Sequence, residues 1–169
     1  MNRAFVNEDD DAGIVFVPPR APLPPGAVNY VTPRGYRLLK DELAELELEK
    51  ARVQNDRKMG DQEKVRLLTI ARGRYADLKA RISGAKVVAP GEQPRDEVRF
   101  GATVRLRAES ERRIAIVGVD EANASEGRIS FIAPIAQALI GKKVGEGVSL
   151  PSPTGPQSFQ IVTITYGAH

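Results

Sequence analysis

Between Thr32 and Lys86 the apolar positions recur at alternating gaps of three and four. One series runs Tyr36, Leu39, Leu43, Leu46, then a polar Lys50, then Val53, and a second runs Leu68, Ala71, Tyr75, Leu78, Ile82 and Ala85. This heptad-like spacing predicts helices that share one narrow apolar seam. Gly60 falls between the two series, within Lys58-Met59-Gly60-Asp61. The pattern therefore predicts helix, tight turn and antiparallel helix, a protruding two-helix finger. Thr32-Pro33 supplies the start, with Thr as N-cap and Pro at the first helical position, where its missing N–H costs nothing. The first helix is expected to run to about Lys58, roughly 26 residues or ~39 Å. The second is expected over about Gln62 to Ser83, closed by Gly84. Gly73 inside it is a weak position, ~1 kcal/mol worse than Ala, where the helix could bend.

Beyond Ala89-Pro90-Gly91-Glu92-Gln93-Pro94 the period changes from helical to alternating. Thr103–Arg107 and Arg113–Val117 read as strands around a polar turn, and Arg128–Ile132 as a third. Pro134–Ile140 reads as a short helix, and Val148–Leu150 with Ser158–Thr165 as a closing pair of strands. The fold class is α+β: an N-terminal antiparallel two-helix coiled coil, then a small antiparallel β domain with one short helix on its apolar face. The expected units are a leader over 1–31, the coiled-coil finger over 32–88, a linker over 89–96 and the β domain over 97–169. The leader carries an acidic run and Pro18, Pro19, Pro22, Pro24 and Pro25, which predict an extended, disordered segment. Within it, Gly13-Ile14-Val15-Phe16-Val17 is apolar enough to meet a sheet edge or a partner.

Composition removes most catalytic schemes. There is no Cys, and the one His is His169, which excludes disulfides, thiolate metal sites and nearly all imidazole chemistry. No run approaches the ~18 apolar residues of a membrane span, and Glu8–Asp11 stand where a signal peptide would be basic and then apolar. A soluble, cytoplasmic protein is expected. The net charge of +3 is unevenly placed, since residues 32–88 hold fourteen Lys/Arg against nine acids. The acids crowd the base of the finger (Asp41, Glu42, Glu45, Glu47, Glu49), whereas Arg52, Arg57, Lys58, Lys64 and Arg66 lie toward its tip. A basic distal half suits nucleic-acid phosphate, and it equally suits the solvated outer positions of a helical hairpin. The chemistry left is that of carboxylates: Asp56, Asp61 and Glu63 flank the turn. On an exposed tip they could add ligands to a Mg²⁺ ion that a partner already holds. The alternative is local, with Asp61 capping the second helix and Glu63 favourable in its first turn.

The segment Asn29-Tyr30-Val31-Thr32-Pro33-Arg34-Gly35-Tyr36-Arg37-Leu38-Leu39-Lys40-Asp41-Glu42-Leu43 resembles the opening of the bacterial Gre transcript-cleavage factors, the GreB type in particular. Phe100–Val104, Ile116–Ala122 and Ile129–Gly145 resemble successive blocks of their C-terminal domain. The resemblance implies a coiled coil followed by an FKBP-like domain that docks on the rim of the RNA polymerase secondary channel. The coiled coil would enter the channel and approach the nascent RNA 3′ end. Two acidic tip residues in that family help hold the polymerase's second catalytic Mg²⁺, so the factor needs no cofactor of its own and is no enzyme by itself. A monomer acting on bacterial RNA polymerase, away from membranes, is expected.

Departures concentrate at the tip. Of the family pattern Gly-Asp-x-x-Glu-Asn-x-x-Tyr, Gly60-Asp61 match, but Lys64, Val65 and Leu68 occupy the Glu, Asn and Tyr positions, and Glu63 is one residue off, ~100° around a helix. Both arms look shorter by about a heptad, withdrawing the tip by ~10 Å. The docking loop keeps only Pro134 of Ile132-Ala133-Pro134, and Asp120 and Glu121 are further candidates for polymerase docking. The expectation is a channel-binding modulator of elongation with weak or no cleavage stimulation. The alternative is an active cleavage factor using Asp61 with Glu63 or Asp56.

Overall fold

The computed structural model describes residues 16, 17 and 19–167. The finger consists of α1 (Pro33–Asn55) and α2 (Asp61–Ser83), 23 residues each and ~35 Å long. Its seam buries Leu39, Leu46, Ala71 and Leu78, with Tyr36, Leu43, Tyr75 and Ile82 packed beside them. Lys50, the polar break in the heptads, lays its ammonium 4.6 Å from the centre of the Tyr75 ring, so its stem continues the seam while its charge stays wet. Toward the tip the seam thins, and Val53, Leu67, Leu68 and Ile70 are only half-buried.

Both helix starts have local causes. Thr32 caps α1, its hydroxyl accepting from the Gly35 amide at 2.9 Å. α1 ends three residues earlier than the expected Lys58, because Asp56 turns out of the helix and its carboxylate accepts from the Lys58 amide at 2.8 Å. This side chain-to-backbone bond competes with the next helical turn. At α2 the N-cap is Gly60, and Asp61 is the first helical residue rather than the cap. α2 runs through Gly73 as one continuous helix.

Two short strands close the foot of the finger. β1 (Asn29–Val31) and β2 (Ala85–Val87) pair in parallel, tying the chain before α1 to the chain after α2. The second unit is a five-stranded sheet of β3 (Ala102–Arg107), β4 (Glu111–Val117), β5 (Arg128–Ser130), β6 (Gly147–Leu150) and β7 (Gln157–Tyr166), in the order β5-β4-β3-β7-β6. The expected antiparallel sheet is corrected to a mixed one, since β5 pairs with β4 in parallel. A crossover through a 3-10 turn at Val119–Glu121 makes that direction available. The helix α3 (Pro134–Leu139) covers the core with Ala136 and Leu139, against Val104, Leu106, Ile114, Ile116, Leu150 and Ile161.

The leader is also corrected where it is described. The disorder expected over 1–31 does not hold for Phe16, Val17 or 19–31: this stretch is a strap across the foot of the finger, ending in β1. Most of the apolar Gly13–Val17 stretch lies outside the described residues. Among the described residues no helix is long and apolar enough to cross a membrane.

Candidate functional site

Two ends of the finger carry the residues singled out by sequence. At the tip, Arg57, Lys58, Asp61 and Glu63 are exposed, as is Arg52 on the last turns of α1, while Lys64 is half-buried. The three acidic candidates have different fates. Asp56 is engaged by the backbone turn. Glu63 is held by Arg66 on its own helix in a two-pronged pair, Nε to Oε2 at 2.8 Å and Nη2 to Oε1 at 2.7 Å. The Arg66 hydrogen bond holds the Glu63 carboxyl below the usual carboxylate range, and Glu63 in turn raises the Arg66 guanidinium. Asp61 alone presents a carboxylate with no side-chain partner among the described residues. It sits in the first turn of α2, where the helix dipole favours an anion.

The foot is the opposite case. Glu121 lies in the 3-10 turn after β4 with its side chain 1% exposed. It accepts from the Thr32 hydroxyl and, at 3.0 Å, from Arg34 Nη1, so the cap of α1 is bolted to the sheet domain. Neighbouring glycines permit this approach: a Cβ on Gly35 would stand 2.7 Å from Glu121 Oε2, and one on Gly118 would stand 2.8 Å from the Tyr30 carbonyl. Asp120 Oδ1 accepts from Arg20 Nε at 3.1 Å, and its Oδ2 is 3.4 Å from Arg81 Nε, close enough for an ion pair without completing a hydrogen bond. Arg20 also grips Glu42 with both terminal nitrogens, at 2.8 and 2.9 Å. That hydrogen bond lowers the Glu42 carboxyl and raises the Arg20 guanidinium. Beside this network Tyr30, Phe100 and Phe131 form an aromatic triangle with centroids 5.5–5.8 Å apart.

Asp120 and Glu121, expected as docking residues, are therefore reassigned. Their carboxylates are internal struts between finger and sheet, and Glu121 has no surface to offer a partner. Ile132 and Ala133 are half-buried and Pro134 is exposed at the start of α3, so that loop remains on the surface, adjoining Phe131 of the triangle. Sequence reasoning missed Arg20, Arg34 and Arg81 as joint residues, and missed that Gly73 is a seat. A Cβ there would stand 2.9 Å from Val17 Cγ2. The available signal was Arg20 set among the prolines of the leader, together with a Gly inside a helix.

An antiparallel helical finger joined to a small β domain through buried carboxylates, with Asp61 at its tip lacking a side-chain partner among the described residues, defines a protein that reaches rather than encloses. Residues 93–166 match the family model described as the transcription elongation factor GreA/GreB C-terminal domain. The transcription elongation factor GreA of Thermodesulfovibrio yellowstonii is 34% identical over 151 residues, covering 80% of this chain and 96% of that protein. The GreA of Acidiphilium cryptum is 45% identical over 98 residues, 56% of this chain, and the match spans only 62% of that relative's length. The solved GreA/GreB factor of Nitrosomonas europaea is similar at 27% identity, over 81% of this chain and 98% of that one, with a TM-score of 0.41. The chain belongs to the GreA/GreB transcription elongation factor family. That family model spans both types and matches only residues 93–166, so it does not distinguish the GreB type from the GreA type for this chain.

Proposed function

We propose that this chain binds bacterial RNA polymerase, its β domain on the rim of the secondary channel and its finger inside, and modulates elongation with weak or no stimulation of transcript cleavage. The Glu63–Arg66 pair carries the second half of this reading. A hard cation shared with the polymerase needs carboxylate oxygens aimed at it. Here one of the two nearest carboxylates is already neutralised on its own helix, and Lys64 adds a positive charge beside it. Asp61 is left to act alone, toward a Mg²⁺ ion that the polymerase itself holds. The exposed Arg52, Arg57 and Lys58 suit phosphates of the nascent RNA 3′ end. The surface loop at Ile132–Pro134 supplies docking contact, and any cleavage is the polymerase's own reaction.

A second reading, an active cleavage factor, is favoured by one observation: the Glu63–Arg66 pair lies on the solvent-exposed surface, and exposed pairs open easily. Asp61 and Glu63 would then act together. The test is RNA cleavage in a stalled, backtracked complex of the cognate polymerase with Mg²⁺, comparing wild type, Asp61→Ala and Arg66→Ala. The expected result is cleavage at the polymerase's own rate with all three, together with competition against a cleavage-competent Gre factor. Stimulation by wild type that is lost in Asp61→Ala would overturn the modulator reading. No stimulation and no competition would overturn channel binding itself.

A further inference from the structure

The β domain is neutral by count but not by surface. Residues 89–169 hold nine Lys/Arg and nine acids. Two of those acids, Asp120 and Glu121, are taken by Arg20, Arg34 and Arg81, which come from outside the domain. What remains is net positive, and four of the nine cations fall on one hairpin. Arg105 and Arg107 lie on β3, Arg112 and Arg113 on β4, all exposed, with only Glu109 and Glu111 among them.

The strand pattern decides where they stand. Val104 and Leu106 enter the core, so Arg105 and Arg107 occupy the opposite face of β3. Ile114 and Ile116 do the same on β4, which puts Arg113 and Glu111 on that same outer face. Register then sets Arg105 directly opposite Arg113, with Thr163 of β7 on its other side. Like charges directly opposite on neighbouring strands repel across ~5 Å. Glu111 offsets two of the three guanidinium groups: its Oε2 accepts from Arg105 at 2.8 Å and its Oε1 from Arg107 at 3.3 Å. Arg113 is exposed and has no acceptor among the described residues. The fourth, Arg112, lies on the other face, 5.6 Å from the centre of the Phe159 ring. The repulsion at Arg113 is left for an external anion to relieve.

The surface selects the class of that anion. Among the described residues no exposed large apolar side chain lies on this face. It therefore lacks the apolar centre around which protein–protein contacts are built. It also lacks the aromatic platforms on which the bases of a single strand stack, since the neighbours of the arginines are Thr103, Thr163 and Thr165. What it offers is guanidinium forks, ~7 Å apart along β3 and ~5 Å across to β4. Duplex DNA carries one charge per ~1.7 Å of its axis, so a patch of this size faces several phosphates. Arg113 precedes the strut turn at Val119 by six residues, ~20 Å of strand, so the patch stands clear of the joint with the finger.

We propose that the outer face of the β3–β4 hairpin, through Arg105, Arg107 and Arg113, is a sequence-independent contact for the phosphate backbone of duplex DNA. The contact reads no base, weakens steeply with salt, and has Glu111 as its internal competitor.

The test uses the full chain without polymerase and a fluorescent duplex of about 20 base pairs, followed by anisotropy over ~0.03 to ~0.3 M salt. Wild type is expected to bind at the low end. Arg105→Gln with Arg113→Gln is expected to bind about tenfold more weakly there, with a slope of log K against log salt shallower by ~2. No binding by wild type, or unchanged affinity and slope in a variant that unfolds thermally like wild type, overturns the proposal. Glu111→Gln is expected to tighten binding ~2–3-fold, which loss of a merely structural pair would not do. Equal or weaker binding overturns its role as competitor. The tip variant Arg57→Gln with Lys58→Gln separates the two basic regions: a loss of duplex affinity confined to it, and absent from the hairpin variant, overturns the proposal. So does a single strand of equal charge that binds more tightly than the duplex, or polyglutamate that displaces the duplex as well as unlabelled duplex does. No polymerase takes part, so failure here leaves the channel-binding reading standing, and failure of the cleavage test leaves this one.

Discussion

The foot and the tip of the finger use the same residue types for opposite ends. At the foot, Glu121 and Asp120 are walled in by Thr32, Arg34, Arg20 and Arg81, and the close approach of Glu121 to the start of α1 depends on Gly35. At the tip, Asp61 and Glu63 stand in water on a seam that has lost its fully buried residues. A carboxylate with low solvent access and fixed partners sets geometry. One with high access sets charge. The comparison teaches that the finger is built to be aimed from its base and to be altered at its end without harm to the fold.

The sharpest way to break this contrast is Glu121→Ala. Removing one side of a buried charged network leaves Arg34 and Thr32 without their acceptor, and is expected to cost ~3 kcal/mol in denaturant unfolding. An effect as small as that of a surface acid would erase the distinction between foot and tip. Gly35→Ala comes next, because its Cβ would stand 2.7 Å from Glu121 Oε2, and ~1–3 kcal/mol is expected from forced displacement. Arg20→Ala should cost ~1 kcal/mol, since its pairs are partly exposed, and should free the strap for proteolysis near residue 20.

The same latch has a pH signature. The Arg20 hydrogen bond depresses the folded-state value of Glu42, so its contribution is complete above the unfolded carboxylate's ~4.3 and is lost as pH falls through the lower folded value. Strap proteolysis should rise over that acid window in wild type and be flat in Arg20→Ala. Gly73→Ala has a smaller and mixed effect. Helix propensity favours it by ~1 kcal/mol, but the new Cβ unseats Val17. Little change in the unfolding midpoint, with faster cleavage around Val17, is expected. At the bottom of the scale, Asp61→Ala should leave the midpoint unchanged by thermal unfolding, whatever it does in a cleavage assay.

Much of this architecture was legible from periodicity. The heptad gaps placed Leu39, Leu46, Ala71 and Leu78 in one seam, and Thr32-Pro33 placed the start of α1 to the residue. These are local signals: the spacing of apolar groups and the satisfaction of a helix end. Apart from the early end of α1 at Asp56 and the cap of α2 at Gly60, which are local, the misjudged elements depend on contacts between segments far apart in the chain. Proline content made 16–31 look disordered, yet Arg20 finds partners 22 and 100 residues away. Gly73 looked like a defect because its neighbour, Val17, comes from another segment. Glu121 was a docking candidate only through the resemblance of its segment, and the contacts that bury it come from Thr32 and Arg34, almost ninety residues earlier.

By itself, the sequence determined that this chain has a two-helix finger, a β domain after a Pro/Gly linker, a tip with Lys64 where the family pattern has Glu, and a resemblance to one family. The finger, the linker and the β domain follow from short-range spacing and residue type, and the family from the likeness of whole segments. Only the tertiary structure decided which charges are struts and which are free, that residues 19–31 cross the foot of the finger as a strap, and that β5 runs parallel to β4. A charge's role is set by what excludes water from it, and a strand's direction by where the connection leaves it. Neither is written in the residues next to it.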